Sequence, residues 1–156
     1  MGMRFRVFAG LLAGLLLAGC SEDYGVDQYG KKVAAESLDG QWLVINYWAD
    51  WCAPCRTEVP ELNLLARESE GKGVRVVGVN YDGLRDAELG KAAEQLGIRF
   101  TVLADDPAPR FALPHNEALP VTYIVDNRGK LREQLVGEQT AKGVQARLVA
   151  LQGEGN

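Results

Sequence analysis

The 156-residue sequence is poor in the residues that build metal centres and disulfide scaffolds. It has three cysteines, one histidine and two methionines. A structural zinc site needs about four ligands, and two internal thiols with His115 are too few. A chain of this length can bury one core without disulfide staples. Basic charge is also short, with 17 Lys and Arg against 21 Asp and Glu. A net charge of −4 gives no cationic face with which to neutralise phosphates, which argues against nucleic-acid binding. No repeat and no low-complexity tract stands outside the first twenty residues. The apolar run Val7–Ala18 is shorter than the roughly 20 residues that a spanning helix needs.

That run has the form of a leader. Arg4 and Arg6 precede it, and it ends at Leu17-Ala18-Gly19-Cys20. The ending resembles the lipobox of bacterial lipoproteins. The resemblance implies removal of residues 1–19 and acylation of Cys20, which would tie the chain to a lipid bilayer. Residues 20–27 are then expected to be a tether, and 28–152 the folded domain. With Cys20 consumed, Cys52 and Cys55 are left as a pair.

The pattern along the chain alternates strand and helix. Trp42–Trp48 and Val74–Asn80 are nearly unbroken apolar runs, expected as buried strands. A helix is expected from Pro54 to about Ser69, kinked at Pro60, and another from Asp86 to Leu96, closed by Gly97. Phe100–Leu103 and Val121–Val125 read as strands. Asn127–Lys130 makes a turn into Leu131–Val136, and Thr140 caps a last helix. Turn signals at Asp27–Lys31 and Asp39-Gly40 suggest a short N-terminal hairpin. The order is β-α-β-α-β, then an antiparallel pair and a helix, which specifies an α/β domain with a mixed sheet.

Cys52 and Cys55 fall between a strand and a helix. A Cys-x-x-Cys there is a strong redox signal. Three-residue spacing puts both sulfurs on one helical face. Cys52 stands at the helix N-terminus, where unpaired N–H groups and the macrodipole favour a thiolate. It is therefore the expected nucleophile, and Cys55 the resolving thiol. Pro54 is tolerated because first-turn N–H groups lack helical acceptors. A purely structural bridge would close too small a loop to contribute much stability.

Trp48-Ala49-Asp50-Trp51-Cys52-Ala53-Pro54-Cys55-Arg56 closely resembles the thioredoxin active site. The segment Cys55–Leu62 and the extra strand–helix unit over Val74–Leu103 resemble the TlpA/ResA-type proteins, within the AhpC/TSA-related group. The likeness spans about Asp27–Leu151. It implies a thioredoxin fold with a central mixed sheet flanked by helices. It also implies a monomer outside the cytoplasm, with no organic cofactor and no metal, reducing a disulfide of a partner protein such as an apocytochrome c or a copper-site protein. A membrane thiol donor of the DsbD or CcdA type would restore the thiols. Pro120 matches the cis-proline that faces the dithiol, with Leu119 before it. Trp51, Ala53, Pro54 and Leu119 are the expected substrate-facing surface. Glu58 matches a glutamate that tunes the thiols in ResA-like members, and its alternative is a solvated helix charge. Asn46 stands where thioredoxin has a buried acid, leaving Glu58 as the leading base.

The direction of electron flow stays open, because about 30 mV shifts a two-electron couple by about 1.4 kcal/mol. An oxidase or isomerase is the first rival, and a copper-handling chaperone or a thiol peroxidase the next. A redox-silent scaffold would not need both cysteines. His115 and the acids Asp105 and Asp106 read as loop and solvated charge. Ser21 after Cys20, rather than Asp, points to the outer membrane.

Overall fold

The computed structural model describes residues 22–154, and the leader, Cys20 and Ser21 lie outside the described residues. Five strands form one sheet in the order β3-β2-β1-β4-β5. In chain order the elements are β1 (Trp42–Trp48), α1 (Ala53–Glu68), β2 (Val74–Asn80), α2 (Asp86–Leu96), β3 (Thr101–Leu103), α3 (Ala108–Phe111), β4 (Val121–Val125), β5 (Leu131–Val136) and α4 (Ala141–Gly153). β1, β2 and β3 are parallel, whereas β4 runs antiparallel to β1 and β5 to β4. The parallel strands follow from the crossover helices α1 and α2, and the antiparallel pair from the short Asp126–Lys130 turn.

The central strand shows why the apolar runs are continuous. Successive side chains of β1 point to opposite faces. Val44 and Trp48 enter the core shared with α1, α2 and α4. Leu43, Ile45 and Tyr47 enter a second core with Tyr24, Val33, Leu38 and Phe111. Both faces are covered, so no position of β1 after Trp42 is left to solvent. Asn46 falls by alternation on the α1 face, a polar group amid Val44 and Trp48.

The N-terminal segment closes the second face. Val26 bridges Lys32, and the Asp27 carboxylate accepts from the N–H groups of Tyr29 and Lys31, both at 2.9 Å. Gln28 then serves as a surrogate strand. Its amide donates to the Phe100 carbonyl at 3.1 Å and accepts from the Val102 N–H at 2.8 Å. This blunts the free edge of β3. Part of the segment expected as a tether is therefore packed on the domain. Tyr24 is buried and stacked beneath Arg110, whose guanidinium lies 4.0 Å from the ring centroid. The folded domain starts at Tyr24 rather than at residue 28. A Tyr four residues into a polar segment, packing on a helix far along the chain, leaves no periodic signal.

The other expected elements agree to within a residue or two. α1 runs through Pro60 for two more turns. Gly97 ends α2 at φ 74°, a conformation that L side chains rarely adopt. The Thr140 hydroxyl accepts from the Gly143 N–H at 3.1 Å at the start of α4. No helix among the described residues is long and apolar enough to cross a membrane.

Candidate active site

β1 ends at Trp48, a tight turn brings the Cys52 N–H onto the Ala49 carbonyl at 3.2 Å, and α1 starts at Ala53. Cys52 is thus the N-cap residue, with Pro54 in the first turn. Cys52 and Cys55 are joined by a disulfide, with their Cα atoms 5.3 Å apart. The Cys55 N–H points at Cys52 Sγ, 3.2 Å away. An N-cap oxygen ordinarily fills that place, and here a sulfur does. Opening the disulfide leaves this donor and the helix dipole to stabilise a thiolate on Cys52. Both cysteines are buried, Cys52 at 4% and Cys55 at 1% exposure.

Trp51, Ala53 and Pro54 adjoin the pair in the chain. Trp51 is 63% exposed, and its indole N–H donates to Asp82 at 2.7 Å. Asp82 follows β2, and nothing in the local sequence marks it as a partner of Trp51. Ala53 is exposed and Pro54 half-buried. The Leu119–Pro120 peptide bond is cis. Half-buried Leu119 packs against the core that contains both cysteines. The Pro120 carbonyl is held by the Gly137 N–H at 2.9 Å.

Glu58 is not a solvated helix charge. It is 1% exposed, one turn after Cys55 on the buried face of α1. One carboxylate oxygen accepts from Asn46 Nδ2 at 2.9 Å, the other from the Gln139 N–H at 3.0 Å. Asn46 Nδ2 also donates to the Thr122 hydroxyl at 3.0 Å, two residues after the cis-proline. Burial pushes the Glu58 carboxyl up to about 7, against the opposing effect of its two donors. The site thus holds a carboxyl that titrates near neutrality beside a dithiol. Gln139 and Thr122 escaped sequence reading, because both are distant in the chain and neither belongs to a motif.

The remaining candidates lie to one side. His115 stacks on Tyr81, with ring centroids 6.2 Å apart. Asp105 pairs with Arg85 at 2.6 Å, as a surface acid would. Asp106 is different, because it accepts from the largely buried Tyr47 hydroxyl at 2.5 Å.

With this geometry in place, likeness to other proteins decides the family. The sequence matches the AhpC/TSA family over residues 20–134. The chain belongs to that family. It is 31% identical over 122 residues to the thiol-disulfide oxidoreductase ResA of Bacillus thuringiensis, covering 78% of this chain and 70% of the relative. It is 36% identical over 107 residues to the thiol:disulfide interchange protein HelX of Rhodobacter capsulatus, covering 68% and 58%. A putative thiol:disulfide interchange protein DsbE from Chlorobium tepidum superposes with a TM-score of 0.64 at 25% identity, covering 83% of this chain and 92% of that one. A DsbF homologue from Corynebacterium diphtheriae superposes with a TM-score of 0.68 at 22% identity, covering 81% and 82%, and supports the thioredoxin fold. The TlpA/ResA-type resemblance holds, and the chain is a thiol–disulfide oxidoreductase with Cys52 and Cys55 as its redox pair.

Proposed function

We propose that this oxidoreductase is a lipid-anchored, extracytoplasmic reductase of disulfides in partner proteins, with a cytochrome maturation factor's substrate as the type case. Cys20 carries the lipid, on the strength of the leader and lipobox. Ser21 favours the outer membrane, with the domain facing the periplasm as a monomer. The observation that carries the reading is the placement of Cys52 at the N-cap, with the Cys55 N–H on its sulfur and cis-Leu119–Pro120 packed on the same core.

In the reduced protein, the Cys52 thiolate attacks one sulfur of the partner disulfide. A Cys52–partner bond forms, and the other partner sulfur leaves as a thiolate. Cys55 then loses its proton and attacks Cys52 Sγ, which releases the second partner thiolate. Two electrons have moved to the partner, and the protein holds the Cys52–Cys55 disulfide. Glu58, buried with Cys55 on one helix face, is assigned that proton, since a group titrating near 7 exchanges it at neutral pH. The Leu119 backbone offers a surface on which an extended partner segment can pair. Trp51, Ala53 and Pro54 flank the attacked bond. A membrane dithiol donor of the DsbD or CcdA type returns the electrons.

Equilibration with defined thiol–disulfide buffers tests the direction. A reductase should have a potential at or below that of glutathione pools, on the order of −220 mV or lower. A value well above that range makes the protein an oxidase or isomerase. Membrane attachment is tested separately by Cys20→Ser. The protein should move from the membrane pellet to the soluble fraction, and its retention in the pellet would refute lipidation at Cys20.

A further inference from the structure

A cavity of about 350 Å³ opens beside the cis-proline, on the sheet face opposite α1. It begins at Val121, directly after Pro120, and its wall includes Tyr81, whose N–H holds the Trp48 carbonyl at 2.8 Å. It therefore lies at the same end of the sheet as Cys52. Three phenol rings, Tyr47, Tyr81 and Tyr123, line it together with the His115 ring. Tyr47 and Tyr123 meet edge to face at 5.6 Å. Their hydroxyl protons are already committed, one to Asp106 and one to the Pro114 carbonyl at 2.6 Å. Burial pushes both phenols up from their ordinary range, so they stay neutral donors.

Asp106 is the one carboxylate in this wall, and no lysine or arginine lines the cavity. One oxygen of Asp106 takes the Tyr47 hydroxyl and the Ala108 N–H. The other takes part in no ion pair or hydrogen bond among the described residues. Two amide groups of the wall are fixed in orientation. The oxygens of Asn80 and Asn116 accept from the N–H groups of Leu84 and Ala118, both at 3.1 Å. Their Nδ2 atoms are buried and have no acceptor. The cavity thus combines aromatic rings with one carboxylate oxygen that no described residue engages.

We propose that this cavity is a recognition subsite for a lysine or arginine side chain of the partner polypeptide, close in sequence to the attacked cysteine. The inference rests on the reductase reading and specifies its substrate. A cation lies well over the half-buried Tyr81 ring and donates to Asp106. An aliphatic side chain would fill the space but give the exposed Asp106 carboxylate no charge partner. An acidic side chain would be repelled.

The test uses the reduced protein and disulfide peptides with one lysine at each of four positions on either side of the attacked cysteine. Each peptide is paired with its norleucine counterpart. At least one placement should give a kcat/KM about fivefold or more above norleucine. Asp106→Asn keeps an oxygen for Tyr47 and Ala108 and should bring that ratio to within about twofold. Tyr81→Leu, on the cavity wall, should lower it as well. Equal rates for every pair, or a preference that survives both substitutions, overturn the subsite alone. Failure to reduce any peptide overturns the reductase reading and the subsite with it.

Discussion

Asn46 donates to Glu58 across 2.9 Å, and this contact joins the central strand to the helix that carries the redox cysteines. The same Asn46 amide holds Thr122 on β4, just past the cis-proline. One side chain therefore ties the strand beneath the dithiol to the carboxyl on its helix and to the start of β4. An acid at position 46 would set two carboxylates against each other. The amide instead supplies a donor to the acid that is there.

Replacing Asn46 with Ala removes a donor from a buried carboxyl and another from a buried hydroxyl. The expected cost is about 2–3 kcal/mol, read by urea denaturation of the oxidised protein. The Glu58 carboxyl should titrate higher still in the variant, as followed by carbon NMR. A lower or unchanged titration would break the assigned contact.

Glu58 should make the fold less stable as pH rises. Its folded value, about 7, lies above the value for an unfolded glutamate. The folded state therefore binds the extra proton between those two values. Stability from this group is complete below the unfolded value and is lost as pH climbs through about 7. The loss is on the order of 3 kcal/mol. Denaturation of wild type and Glu58→Gln at pH 5 and pH 8.5 should show a steeper decline for wild type. Equal slopes would mean that Glu58 ionises freely in the fold.

Gly90 gives a sharper test of the N-terminal hairpin. A Cβ added there would sit 2.8 Å from the Gln28 carbonyl oxygen, a backbone atom that cannot swing aside. Helix propensity alone favours Gly90→Ala by about 1 kcal/mol. The collision should reverse that sign, with a net loss of about 1–2 kcal/mol in urea denaturation. A stabilised variant would mean that the hairpin yields without cost.

Much of this architecture is legible in the sequence, and the gaps have physical causes. β1, β2, β4 and β5 match their apolar or alternating runs, because burial on a sheet face leaves a period in the residues. Cys52 and Cys55 are legible because a strand-to-helix turn is a local feature, and Pro120 through the family resemblance. Glu58 is half legible: spacing puts it near Cys55, but burial depends on Asn46 and on Gln139, 81 residues away. Tyr24, Asp82 and Asp106 carry no local signal. Their roles arise only where loops from separate parts of the chain meet.

The unequal electrostatic settings of the two sulfurs bear on reactivity. In the reduced protein Cys52 has the helix N-terminus and the Cys55 N–H to hold its thiolate, whereas Cys55 lies within the first turn of α1. Alkylation of Cys52 in Cys55→Ala at neutral pH should outpace alkylation of Cys55 in Cys52→Ala by about tenfold or more. Comparable rates would remove the basis for naming Cys52 the nucleophile.

The most direct test of the whole account is a mixed-disulfide trap. Cys55→Ala, expressed as the full chain in its native host, should accumulate a thiol-reversible adduct with a partner protein at Cys52, and Cys52→Ala should accumulate none. Absence of a Cys52-dependent adduct, or an equal yield from both variants, would contradict thiol–disulfide exchange through Cys52.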